Sequence, residues 1–395
     1  MGLGQWRGKL DWPLPWLRVV PMIKMFGFQI TPCYKQTLEQ SWEACYSKFN
    51  KTVMSWSSRQ LNSLIQRVEV LRLFATSKLW YKASALPLPS KFLKKFESLM
   101  GRFLWAGKLE RLKLDEIKNL RSAGGLGLPC VFSKSNSLFL SQACRLLLHP
   151  ASKQFGHVKY WIGLHLRDFC LDMESGPHAE LVSPYFQHMR LLLVEGLVLG
   201  DIDASRFAHV SAKKLYLGYT STFPPPKVIF KFDVEWTIVW NRLDSPVLDP
   251  LAREYLFLII NNIVPNRERL YMKMNMVNSP HCVVCNVRED NTHLFMECVL
   301  VREAWGWVRM RLLSMLPAEC AVTSNFEFLH LMFDQHFMEN EAVWLIGTYL
   351  HYAWVEKFQK KKILKIEKFI GHARLCYRAN QVAKKPILGY IMNIS

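Results

Sequence analysis

Between residues 281 and 298 the chain reads HCVVCNVREDNTHLFMEC, and the spacing C-x2-C-x7-H-x4-C through Cys282, Cys285, His293 and Cys298 constrains the fold more than any other feature. Two cysteines separated by two residues let a tight turn aim both thiolates at one ion. A histidine and a cysteine five positions apart suit the first turns of a following helix. Three sulfurs and one imidazole nitrogen in a tetrahedron fit zinc best among the common intracellular metals. Four protein ligands close the site, so a single Zn2+ here is structural and contributes folding free energy rather than catalysis. The bland alternative is four unrelated residues at ligand spacing by chance, and Leu294 and Phe295 packed between the last two weigh against it. Asn286, in the polar NVREDN segment, tolerates the left-handed backbone that such knuckles use. His281 would strain the geometry as a ligand, because it adjoins Cys282.

Charge sets the next limit. The formal balance is +19, and it is concentrated in two places. From Lys51 to Lys108 there are eleven Lys or Arg against Glu69 and Glu97, and from Glu356 to Lys385 there are ten against Glu356 and Glu367. An ordinary solvated surface mixes its signs. Such clustering points to a polyanion, with nucleic acid favoured over a membrane surface and no small-molecule substrate implied. Ten cysteines at irregular spacing read as reduced thiols plus the metal site, which places the chain in the nucleus or cytoplasm. The first eleven residues lack the apolar run of a signal peptide, and no stretch is apolar and long enough to span a bilayer. The oligomeric state is not legible.

Periodicity makes the chain mostly α, with a short β segment near the N-terminus. MFGFQI, before Thr31 and Pro32, reads as one strand or half a hairpin with no partner strands in the chain, an exposed edge that calls for cover. Leu38, Trp42, Cys45 and Phe49 make the apolar stripe of a first helix. A second is expected from about Ser58 to Ala83, burying Leu61, Ile65, Val68 and Leu71 and ending where Pro87 and Pro89 disfavour helix. A third, opening at Pro89 or Ser90, buries Phe92, Phe96, Leu99 and Phe103. Together these make a small antiparallel bundle with a basic face. GGLGLP, from Gly124 to Pro129, is a turn whose glycines need positive φ rather than a phosphate loop, since the P-loop Lys-Ser/Thr is missing. Residues 133 to 217 are helical and otherwise uninformative. FPPPK is a stiff linker. EWTIVWNRL and REYLFLIINNIVPNRERL read as two amphipathic helices leading to the cysteine cluster, with two or three more beyond it.

At this point the residues resemble a known family. MFGFQITP is similar to the end of the polymerase palm in LINE-type (non-LTR) retrotransposon reverse transcriptases. SWSSRQLNSLIQRVEVLRLFATSKLWYKASALPLP and FLKKFESLMGRFLWAGK resemble the helical thumb, and AGGLGLP a short motif after it. EWTIVWNRL, NNIVPNRERL and CVVCNVREDNTHLFMECVLVREAW resemble the zinc-binding domain of those enzymes. The resemblance implies a palm remnant over 1–34, a thumb-like helical bundle over 35–132 and a helical connector over 133–226. It further implies a reverse-transcriptase zinc-binding domain over 227–310, a CCHC zinc-knuckle module set within helices, and a helical C-terminal region with a basic tail over 311–395.

One departure bears on activity. The sequence has no Asp-Asp dipeptide, and two-metal polymerisation needs paired carboxylates. Its nearest imitation, Asp201 and Asp203 in GDID, lies far downstream of the thumb-like bundle. The chain is therefore expected to bind RNA, DNA or an RNA–DNA duplex through Arg59, Arg67, Arg72, Lys78, Lys94, Lys95 and Arg102, and to have no catalytic residues. Trp80, Tyr81 and Trp105 are candidates for stacking on bases, with a core role the commoner fate of such aromatics. The competing expectation is an inert or protein-interaction remnant of a decayed element, for which nucleic acid is incidental.

Overall fold

The run IKMFGFQI folds back on itself. β1 (Ile23–Met25) pairs antiparallel with β2 (Phe28–Ile30), Ile23 opposite Ile30. Phe26 and Gly27 between them both take positive φ, 49° and 80°. That is the primed two-residue turn whose twist matches the strands. The sequence suggested one strand or half a hairpin without partners in the chain; instead Ile23–Met25 supplies the partner strand and completes a two-stranded hairpin. A computed structural model describes residues 20–59, 61, 63–107, 112–148, 153–166, 182–198, 210–318, 323–333, 339–359 and 363–382. They are mostly helical and fall into two units. One is drawn from Met1–Leu61, Arg67–Glu110 and Leu128–Pro224, the other from Asn62–Gln66, Arg111–Gly127 and Pro225–Ser395.

In the first unit α1 (Tyr34–Ser57) turns Trp42, Cys45, Phe49 and Val53 inward, a stripe at intervals of three and four. Its Ser41 hydroxyl accepts from the Gln29 amide at 3.0 Å, so this helix covers the outer edge of β2. The next helical stretch starts later than the pattern suggested and is interrupted. α2 (Leu64–Val70) runs into a π-helical turn over Leu71–Ala75, and α3 (Ser77–Ala83) follows. The extra residue of a π turn rephases the apolar stripe. It keeps Ala75 and Leu79 inside while Leu73 and Phe74 face out. Leu61, expected inside, lies half-buried ahead of α2. From α3, Tyr81 donates its hydroxyl to the Phe26 carbonyl and Lys82 its ammonium to that of Gly27, which pins the hairpin turn.

α4 (Ser90–Leu104) buries Phe92, Phe96, Leu99 and Phe103 as expected. Phe96 is ringed edge-on by Trp42, Tyr46 and Phe49, with centroids 5.0 to 6.2 Å away. The Trp42 indole donates to the Pro87 carbonyl at 2.8 Å, tying α1 to the proline-rich stop. α5 (Leu114–Lys118) lies in the second unit. α6 (Val131–Leu147), α7 (Lys153–Ile162), α8 (Pro184–Val198) and α9 (Ala212–Ser221) complete the first around Phe139, Leu140, Cys144, Ile162 and Leu193.

The second unit is built on helices that flank the cysteine cluster. α10 (Trp236–Leu243) carries Trp240 against GGLGLP. There Gly124 and Gly127 take positive φ, but Gly125 is needed for another reason: a Cβ on it would stand 2.0 Å from the Asn119 carbonyl oxygen. α11 (Pro250–Ile260) is capped by Asp249, whose carboxylate accepts from the Leu251 and Ala252 amides. REYLFLIINNIVPNRERL is two helices rather than one. Asn262 takes φ 52°, the Val264–Pro265 step disfavours helix, and Asn266 caps a new start at α12 (Arg267–Met272). Beyond the cluster lie α13 (Arg302–Met315), α14 (Asn325–Leu329), α15 (Glu339–Trp354) and α16 (Ile366–Val382). α15 is buried on every side from Glu341 to Leu350, as a helix apolar all round must be, and packs against α11, α13 and α16. The basic run from Lys357 lies partly on the π turn after α15 and partly on α16; residues 360–362 and 383–385 lie outside the described residues.

His330, after α14, stacks on Phe326 with centroids 4.0 Å apart, and its Nδ1 lies 2.8 Å from the Phe326 carbonyl oxygen. Burial pushes the imidazole down to about 4, against a weaker upward pull from that carbonyl. An unfolded chain takes up this proton near pH 6.5. The contribution is therefore complete above that pH and is lost as pH falls toward 4, by about 3 kcal/mol in all. Urea unfolding from pH 4 to 8 should show a slope in the wild type that His330→Gln flattens by that amount. Equal slopes in both proteins would refute it.

Candidate metal centre and basic surface

The four ligand residues come from two short structures. Cys282 and Cys285 sit on a knuckle closed by the Cys282 amide donating to the Val287 carbonyl at 2.7 Å and the Asn286 amide to the Cys282 carbonyl at 3.0 Å. Asn286 takes φ 56°, the left-handed backbone expected of it. His293 and Cys298 bracket a π-helical turn, His293–Glu297, closed by the Cys298 amide on the His293 carbonyl at 2.8 Å. The wider turn advances five residues per hydrogen bond, which brings both ends to one side.

The ligand atoms of all four residues lie within 4.8 Å of one another. Cys298 Sγ is 3.6 Å from that of Cys285 and 3.9 Å from that of Cys282. A tetrahedron of zinc–sulfur bonds has edges of about 3.8 Å. The Nε2 of His293 is buried with no hydrogen-bond partner, a state that a metal bond would relieve. Burial, reinforced by Lys357, lowers the imidazole's affinity for a proton, so it is neutral and able to ligate at pH 7. Burial pushes the Cys298 thiol up to about 11, a cost that a bound cation reverses. Burial also works to raise Cys285, but the Val299 amide, the two neighbouring thiols and Lys357 outweigh it and bring that thiol below its ordinary value.

Residues 223–305 match the family described as zinc-binding in reverse transcriptase. The knuckle and π turn lie within the matched residues, and Cys282, Cys285, His293 and Cys298 fit one structural zinc ion. The match spans α10 to the first residues of α13 and supports a reverse-transcriptase-related protein.

Several residues that frame this centre were not legible in the spacing. Asp290 accepts from the His293 amide at 2.7 Å and opens the π turn. The Glu289 carboxylate accepts from the Arg267 amide at 3.0 Å, while Asn266 donates to Asn291 at 2.7 Å, so α12 is locked to the knuckle. Lys357, from the π turn after α15, donates to the Leu294 carbonyl at 3.0 Å and lies 4.0 Å from Glu289. Asp290, three before His293, carries the sort of signal a capping residue gives. Lys357 has none.

The seven cationic residues singled out in the first unit meet different fates. Lys78, Lys94 and Arg102 are exposed, and Arg59 is exposed with its guanidinium 4.2 Å above the Trp56 ring. Arg72 pairs with Glu69 at 2.8 Å and Lys95 with Glu43 at 2.9 Å. Arg67 is half-buried and donates to the carbonyls of Leu104 and Leu61. Three of the seven, Arg59, Arg67 and Arg102, line one cavity. Of the aromatic candidates Trp105 is buried, Trp80 half-buried, and exposed Tyr81 is engaged on the hairpin. Asp201 and Asp203 lie outside the described residues. Among the described residues no helix is long and apolar enough to cross a membrane.

Proposed function

We propose that this chain is a LINE-type reverse-transcriptase relative that grips the phosphate backbone of RNA, DNA or their hybrid and performs no chemistry of its own. The observation that carries this reading is the gathering of Arg59, Arg67 and Arg102 around one cavity of the thumb-like bundle, with exposed Lys78 and Lys94 in the same unit. Cations of this kind supply affinity and position without reading sequence. The zinc site keeps the second unit folded and takes no part in catalysis. The sequence has no adjacent aspartate pair to hold polymerase metals, which favours binding over polymerisation.

Binding to a hybrid duplex should fall steeply between 50 and 200 mM salt, with a log–log slope of about −4.5 for some five neutralised phosphates. Fluorescence anisotropy against salt measures it. Each neutralising change among Arg59, Lys78, Lys94 and Arg102 should make the slope shallower by about 1, at any sequence of the duplex. A flat salt dependence would overturn the reading and leave the protein-interaction alternative in its place.

A further inference from the structure

The same three arginines stand around a hollow, not a flat face. The cavity has a volume of about 270 Å³ and lies between the C-terminal ends of α1 and α4. Its walls include Trp56, Leu99 and Phe103, and no Asp or Glu is among its described lining residues. Arg67 is fixed on the Leu104 and Leu61 carbonyls, so its charge is held in place before any ligand arrives. Arg59 and Arg102 are solvent-exposed, and Arg59 rests on the Trp56 ring with its centre 4.2 Å from the centroid. α4 ends with Ala106 and Gly107 both at positive φ, the Gly107 amide returning to the Arg102 carbonyl at 3.0 Å, which fixes the rim beside Arg102.

Phosphate recognition alone needs only a convex array of cations. An apolar and aromatic hollow ringed by them suits a ligand that is flat and apolar at one end and anionic at the other. The volume is close to that of a single small ligand, too little for a duplex. We infer that this cavity takes one unpaired nucleotide of a nucleic-acid strand, its base against Trp56 and its phosphate on Arg59 and Arg102. The arriving base replaces Arg59 on the indole face, and the freed guanidinium turns to the phosphate. This rests on the reading of the chain as a nucleic-acid binder and adds to it a preference for strands with an unpaired residue.

The test uses the full zinc-loaded chain and two hybrid duplexes, one blunt and one with a single unpaired 2-aminopurine nucleotide at one end. The overhang should bind about tenfold tighter, the value of one stacked base, and its fluorescence should be quenched on binding. Trp56→Leu should abolish the preference and the quenching while leaving blunt-duplex affinity within about twofold. Arg102→Gln, at an exposed position, should weaken the overhang more than the blunt duplex and guards against a folding defect in the first variant. A nucleoside monophosphate should compete away the preference, and ribose 5-phosphate should not; equal competition by the two would overturn base recognition. Equal affinity for both duplexes, or a preference that survives Trp56→Leu, sinks the pocket and leaves backbone binding standing. Failure to bind either duplex sinks both.

Discussion

Cys298→Ser is expected to lower bound zinc from one equivalent per chain to about one-tenth or less, and to unfold much of the second unit. Cys298 is fully buried, its sulfur lies within 4 Å of both other thiols, and its amide closes the π turn that presents His293. Serine keeps the backbone but offers a hydroxyl that zinc binds poorly beside two thiolates. Zinc bound by such a site stabilises its fold by on the order of 10 kcal/mol, as much as the whole stability of an ordinary domain. Metal analysis of the purified chain, with far-UV and near-UV circular dichroism, measures both effects. Cys33→Ser serves as the control: Cys33 lies in the first unit and is not one of the four clustered residues, so its loss should leave zinc at one equivalent. Zinc retained by the Cys298 variant would remove the metal from the account of this fold.

The second large effect is expected at Arg242. Its guanidinium is buried on α10, where it donates to the Leu331 carbonyl at 2.8 Å, to the Phe333 carbonyl and to the Glu339 carboxylate at the start of α15. It also lies 4.0 Å over the Phe333 ring. Alanine would strand the carbonyls and the carboxylate together, a loss of about 3–5 kcal/mol in the second unit. Lysine should recover little, because one ammonium cannot reproduce a planar fork with several donors. Urea unfolding followed by near-UV circular dichroism reads the change. A loss under about 1 kcal/mol would mean that water reaches these groups.

The zinc site was legible because ligation depends on residue type and spacing, both of which are written in one short segment. Its supports were not. Glu289, Asn291 and Asp290 sit inside that segment but look like ordinary turn residues, and Lys357 arrives from 63 residues downstream of Leu294. Helix faces were legible wherever a single period held, as in α1 and α4. Helix continuity, rather than helix face, was misread where the backbone changed its own period. The π turn at Leu71–Ala75 preserves a helical look while shifting the stripe, and Asn262 breaks a run that reads as continuous. Of the cationic residues, sequence could supply their number but not their partners. Arg67 looks like any surface arginine until Leu104 and Leu61 are placed around it.

The second unit draws on two short pieces, 62–66 and 111–127, that precede its main body by about a hundred residues or more. Leu64 donates its amide to Glu254, and Gly124 lies against Trp240. A ribosome releases these pieces long before their partners exist, so they must wait, unpaired, while residues 128–224 are made. Assembly of this half therefore includes the closure of long loops. Cutting the gene at Pro225 would yield a product missing the strip that seats Trp240, however faithfully its cysteines gather their ion.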